Sequence, residues 1–120
     1  MRTTEFNLAG KTCLLVFNNR VLSGMERDGI SLQDISADKP VTNAMRLLQM
    51  MIESGSRYAA ATGAGEYPVL SLDEILDMTG PGDYEAILAA ITATLAGERN
   101  VDAVPPKNAG GTPAEVPQNG

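Results

Sequence analysis

Histidine and tryptophan are absent from this chain, and cysteine occurs once, as Cys13. The missing histidine removes the Ser–His and Cys–His nucleophile pairs and the commonest metal ligand. With one thiol and no imidazole, a zinc site would have to be built from carboxylates almost alone. A single cysteine excludes an internal disulfide and fits a reducing compartment. Cys13 lies in an apolar run with no cationic pattern around it, so it reads as a small buried hydrophobe and not as a reactive thiol. Aromatic residues make up only 4% of the chain, so the core must rest on Leu, Ile, Val, Met and Ala. No apolar run approaches the ~20 residues that span a bilayer. No apolar signal region follows Met1-Arg2-Thr3-Thr4-Glu5, so a cytosolic protein without a membrane partner is expected. Basic clusters are lacking too, which speaks against a nucleic-acid partner.

What is present is unevenly distributed. Residues up to Tyr58 carry seven Lys/Arg against six Asp/Glu; after it, Arg99 and Lys107 stand against nine acids. The net charge of −6 therefore belongs almost wholly to the C-terminal half, a surface that favours solubility and basic protein partners. The apolar fraction of 43% is that of a globular protein. At 120 residues one domain is expected. The pattern places that domain at residues 1–97 and leaves 98–120, where Pro105, Pro106, Pro113 and Pro117 alternate with small and polar residues, as a disordered tail.

The expected architecture is α+β, an N-terminal β-hairpin packed on a mostly helical domain. Thr3 to Leu8 and Lys11 to Phe17 read as strands around a turn at Ala9-Gly10. Both faces of the second strand are apolar: Leu14 and Val16 on one, Cys13, Leu15 and Phe17 on the other. It should therefore be covered on both sides, because a lone hairpin is not stable. A first helix, capped by Asn18 or Asn19, should use Val21, Leu22 and Met25 inward and stop at Gly29, with Ile30 making the contact beyond. The longest helix should start at Pro40 and run to about Ala61, with Val41, Met45, Leu48, Met51/Ile52, Gly55 and Tyr58/Ala59 as its stripe. Gly55 inside that stripe marks a close crossing or a break. Ser71-Leu72-Asp73-Glu74 is a capping box, with Leu70 and Ile75 placed as a hydrophobic staple. The last helix should open at Pro81-Gly82-Asp83, use Tyr84, Ile87/Leu88, Ile91 and Leu95, and stop at Gly97.

Few residues carry chemistry. Asp73 and Asp77 lie one turn apart and, with Glu74, could share a hard cation, but acids in a first helical turn already complement the helix dipole. Gly63-Ala64-Gly65 lacks the Gly-Lys-Ser/Thr that a phosphate loop needs. No catalytic residue, cofactor site or metal site is assigned. The methionines Met25, Met45, Met50, Met51 and Met78 all fall on expected helices. Met50 lies off the apolar stripe, and with its neighbours it suggests a groove for a partner helix. The candidate protein-binding residues are Leu48, Met50, Met51, Ile52, Ile87 and Ile91.

Taken in order, several segments resemble a known family. Arg2-Thr3-Thr4-Glu5-Phe6-Asn7-Leu8-Ala9-Gly10-Lys11-Thr12, followed by Leu14-Leu15-Val16-Phe17-Asn18, looks like the start of the tail assembly chaperones of long-tailed bacteriophages and prophages. Pro68-Val69-Leu70-Ser71-Leu72-Asp73-Glu74-Ile75-Leu76-Asp77 and the tail Pro105-Pro106-Lys107-Asn108-Ala109 are similar to it as well. The resemblance covers nearly the whole chain. It implies a protein of the bacterial host cytoplasm that coats the long helical tape measure protein, recruits subunits of the major tail tube protein, self-associates and is not an enzyme. It also implies a longer form made by −1 ribosomal frameshifting. Pro106-Lys107-Asn108 is what a slippery A-AAA-AAC or A-AAA-AAT would encode after a Pro codon ending in A. Two other functions stay open at this point: a structural tail or head-completion protein of the particle, and a carboxylate-based metal-dependent enzyme using Asp73, Glu74 and Asp77.

Overall fold

A computed structural model of the chain describes residues 2–31 and 39–99. Strands β1 (Thr3–Leu8) and β2 (Lys11–Val16) are followed by helices α1 (Asn19–Asp28), α2 (Pro40–Thr62), α3 (Leu72–Met78), a 3₁₀ turn (Pro81–Asp83) and α4 (Tyr84–Arg99). The fold is the expected α+β arrangement, one antiparallel hairpin against helices.

The hairpin closes through Ala9 and Gly10, both at positive φ (52° and 81°). Those values belong to the type I′ loop, whose twist matches that of the strands it joins. The register pairs Leu8 with Lys11, Phe6 with Cys13, Glu5 with Leu14 and Thr4 with Leu15. Hydrogen-bonded and non-hydrogen-bonded pairs alternate along an antiparallel ladder. With Leu8 and Lys11 closing the loop, Glu5 and Leu14 form a non-bonded pair, and their backbone groups turn away from each other.

The outward carbonyl of Leu14 meets α2. A Cβ built on Gly55 would stand 1.8 Å from that oxygen, so only glycine lets the helix come this close. The crossing is between helix and strand edge, and α2 continues through it unbroken to Thr62. In this way α2 covers the outer edge of β2, while among the described residues no strand lies beyond β1.

Both faces of β2 are buried, as its two apolar faces require. Cys13, Leu15 and Phe17 enter the main core with Val21, Met25, Leu48, Met51, Ile52, Ile75, Ile87 and Ile91. Leu14 and Val16 pack with Ala59 and the half-buried Tyr58 and Tyr67 in a smaller cluster. Thr94 of α4 donates its hydroxyl to the Ala90 carbonyl at 2.9 Å and lies 2.8 Å from the Thr4 hydroxyl, tying α4 to β1 inside the fold.

The helix ends follow local rules. Asn18 accepts from the Val21 N–H at 3.3 Å. At the other end of α1, Gly29 donates to Glu26 and Ile30 to Met25, the paired bonds of a Schellman motif. Ser71 and Glu74 exchange bonds of 3.1 and 2.8 Å, and the staple residues Leu70 and Ile75 are both buried. Gln49 and Ser56 of α2 donate to the carbonyls of Leu70 and Tyr67, holding the 63–71 connection against that helix.

Several expectations are corrected. Leu22, expected to face inward from α1, is 42% exposed, and β2 ends at Val16 and not at Phe17. Met50 is buried, because α1 approaches α2 at Gly24, where an added Cβ would stand 3.0 Å from the Met50 sulfur. Val41, expected on the buried stripe, is 52% exposed; it lies at the open end where the start of α2 meets the end of α3 and the start of α4. Gly97 does not stop α4, which continues to Arg99; a glycine can end a helix but does not oblige it to. Helix α2 also buries Leu47 and Ser54 beyond its single stripe, because it packs on β2, α1, α3 and α4 together.

Candidate functional site

The residues first assigned to partner binding form the centre of the protein. Leu48, Met51, Ile52 and Ile87 are fully buried, and Met50 and Ile91 are nearly so. They hold α1, α2, α4 and the hairpin together, and Met50 also reaches the concavity between α1 and α2. Pro106, Lys107 and Asn108, with the rest of the expected tail from residue 100, lie outside the described residues.

The groups with chemical potential are scattered. Glu74 is held by Ser71, and the bonds from the Ser71 backbone N–H and hydroxyl lower its pKa below the ordinary carboxyl value. Asp73 and Asp77 are exposed on α3, and among the described residues no three His, Cys, Asp or Glu side chains gather in a way that could hold a metal ion. Burial raises the pKa of the Cys13 thiol, an effect partly offset by Lys11, so the thiolate needed for reactivity is disfavoured. Tyr67 donates its phenol to Glu5 at 2.7 Å, and that bond raises the tyrosine pKa. It clips the 63–71 connection to the hairpin and leaves the phenol harder to ionise.

Three of the concavities formed by described residues bear on function. One, between α1 and α2, is lined by charges of both signs, Arg27, Asp28, Arg46 and Glu53, above the edge of Met50. A second lies where α2 meets the Gly63–Tyr67 segment and is lined by small residues, Glu66 and Tyr67. The third is the most apolar of these three. It lies where the start of α2, the end of α3, the 3₁₀ turn and the start of α4 converge, and Val41, Met45, Leu76, Pro81 and Tyr84 line it. Its volume of about 210 Å³ is smaller than the 300–1,000 Å³ usual for small-molecule sites, and it is open to solvent. Those dimensions suit a side chain presented by another surface.

This groove brings together two of the exposed apolar groups of the fold. Among the described residues the exposed large hydrophobic ones are Leu22, Val41, Val69, Leu76 and Met78, and two of these five, Val41 and Leu76, line it. A seven-residue helix that commits Ile75 and part of Leu72 to the core has no buried place left for Leu76. Sequence reasoning missed the site because it counted Val41 as core and treated Leu76 as part of a short motif. The available signal was Leu76 itself, an apolar residue one position past the staple.

No protein-family model, no curated protein and no solved structure matches this chain.

Proposed function

We propose that this chain is a tail assembly chaperone of a long-tailed phage or prophage. In the host cytoplasm it binds the tape measure protein, recruits subunits of the major tail tube protein, self-associates and catalyses no reaction. The resemblance of its ordered segments supports this reading, and so does the lack of histidine, which leaves no ordinary nucleophile pair. The observation that carries it is the solvent-facing apolar groove built on Val41 and Leu76, a surface suited to gripping exposed helices. The test is co-expression with the tape measure protein encoded beside it. The expected result is that the tape measure protein stays soluble and co-purifies; its precipitation with and without this chain, and with any frameshifted form, counts against the proposal.

The frameshifted form is part of the same proposal. Codons 106–108 should read as a Pro codon ending in A followed by AAA-AAC or AAA-AAT, and CCG-AAG-AAC would remove the idea.

A second reading, a structural component retained in the particle, draws on the outer edge of β1. Its backbone groups at Thr3, Glu5 and Asn7 face outward with no neighbouring strand among the described residues, and such edges accept added strands. Mass spectrometry of purified particles separates the two: a chaperone is missing from them and a structural component is present in stoichiometric amount.

A further inference from the structure

The apolar groove does not stand in a neutral surface. Between Arg57 and Arg99 the chain contains no lysine or arginine, while Glu66, Asp73, Glu74, Asp77, Asp83 and Glu85 all fall there. Three of the four structural pieces that form the groove, α3, the 3₁₀ turn and α4, come from this acidic stretch. On α3, Asp73 and Asp77 sit three residues before and one after Leu76, and all three are exposed. Residues three or four apart share a helical face, so Asp73 borders the groove on the side of Leu76, and Asp77 extends the same acidic face by one turn from Asp73. Asp83 and Glu85 flank Tyr84 on the far side, both exposed, and the Asp83 carboxylate accepts from the Gly80 N–H at 2.8 Å, which fixes it at the rim. The fourth piece, the start of α2, is preceded by Lys39, and Lys11 of the hairpin lies close enough to Glu74 on α3 to help lower its pKa, so the acids around the groove outnumber the cations without being alone.

We infer that this groove docks a basic amphipathic helix of another protein, with apolar residues seated against Val41, Leu76 and Tyr84 and lysines or arginines over the flanking carboxylates. The inference rests on the proposed function in taking the occupant to be a helix, and adds its charge and its seat. Apolar anchors supply the affinity of such a contact, and the charges supply selection and encounter rate. Charge also decides between occupants. A second copy would bring its own acidic rim against this one. The chain's residues 100–120 carry Asp102 and Glu115 against Lys107 alone, so they are not the basic complement.

The test uses the full chain and two synthetic peptides with Leu at helical i, i+3, i+4 and i+7 positions, one flanked by lysines and the other by glutamates, followed by fluorescence anisotropy. The lysine peptide should bind, more weakly as salt is raised, and the glutamate peptide should bind about tenfold or more weakly than it. Val41→Ser with Leu76→Ser changes exposed side chains, so the protein should melt as the parent does and yet lose about tenfold or more in affinity for the lysine peptide. Three results overturn the inference: equal affinity for both peptides or for neither, no effect of the double substitution, or a dimer of this chain that the double substitution dissolves. If the double variant keeps the tape measure protein soluble as well as the parent does, the groove is not the seat, while the proposed function stands. If the parent fails in that assay, the proposed function itself is lost.

Discussion

A methyl group added at Gly55 would collide with the Leu14 carbonyl 1.8 Å away, whereas one added at Gly24 meets the end of the flexible Met50 side chain at 3.0 Å. Both glycines lie inside helices, where alanine is intrinsically better by about 1 kcal/mol. At Gly55 that gain is outweighed, because neither a backbone carbonyl nor a packed strand edge can move aside. Gly55→Ala should therefore destabilise the fold by about 3 kcal/mol, from the cost of overpacking. Gly24→Ala should stay within about 1 kcal/mol of the parent. Urea unfolding of the two variants checks the contrast, and equal effects would mean that α2 does not seat on β2 as described. Ser54 offers the opposite case. It is 1% exposed, and its hydroxyl has no hydrogen-bond partner among the described residues. Burying an unpaired hydroxyl costs about 1–3 kcal/mol, so Ser54→Ala should stabilise the protein by about 1 kcal/mol, read as a higher melting temperature.

Among the elements, those closed by local chemistry were legible from residues alone. The hairpin turn, an Asn cap on α1 (at Asn18 of the two candidates), the Gly29 stop and the Ser71–Glu74 box all depend on groups within a few positions of one another, and each is found. What depended on distant neighbours was not legible. The hydrophobic period of α2 shows one stripe, but its burial is set by β2, α1, α3 and α4 together; hence Met50 went inside and Val41 stayed out. The groove has the same origin, since nothing local tells Leu76 that Val41 and Tyr84 will be its neighbours. The α3 box supplies an element-scale prediction. Ser71→Ala should cost about 1 kcal/mol. The pKa of Glu74 is lowered on folding, so its contribution is complete above the ordinary carboxyl value of about 4.3 and is lost as pH falls through the lowered folded value. Glu74→Gln should thus flatten the fall in stability on the acid side, seen as converging melting temperatures of variant and parent at low pH. A constant gap between them at every pH would contradict the box.

At the scale of the whole molecule, the protein separates its hydrophobic work into two sets of residues. Leu48, Met51, Ile52 and Ile87 hold the helices and hairpin together, and Val41 and Leu76 are left facing solvent in an acidic surround. No helix among the described residues is long and apolar enough to cross a membrane, so the exposed apolar groups are not parts of a membrane-crossing helix. Under the proposed function, this surface grips another chain without transforming it and without a nucleotide. Light scattering from a purified, aggregation-prone tape measure fragment, with this chain added in increasing amounts and no nucleotide present, measures that directly. The account predicts that scattering falls in proportion to the chain added and vanishes near a fixed stoichiometry; scattering unchanged by an excess of the chain would contradict it.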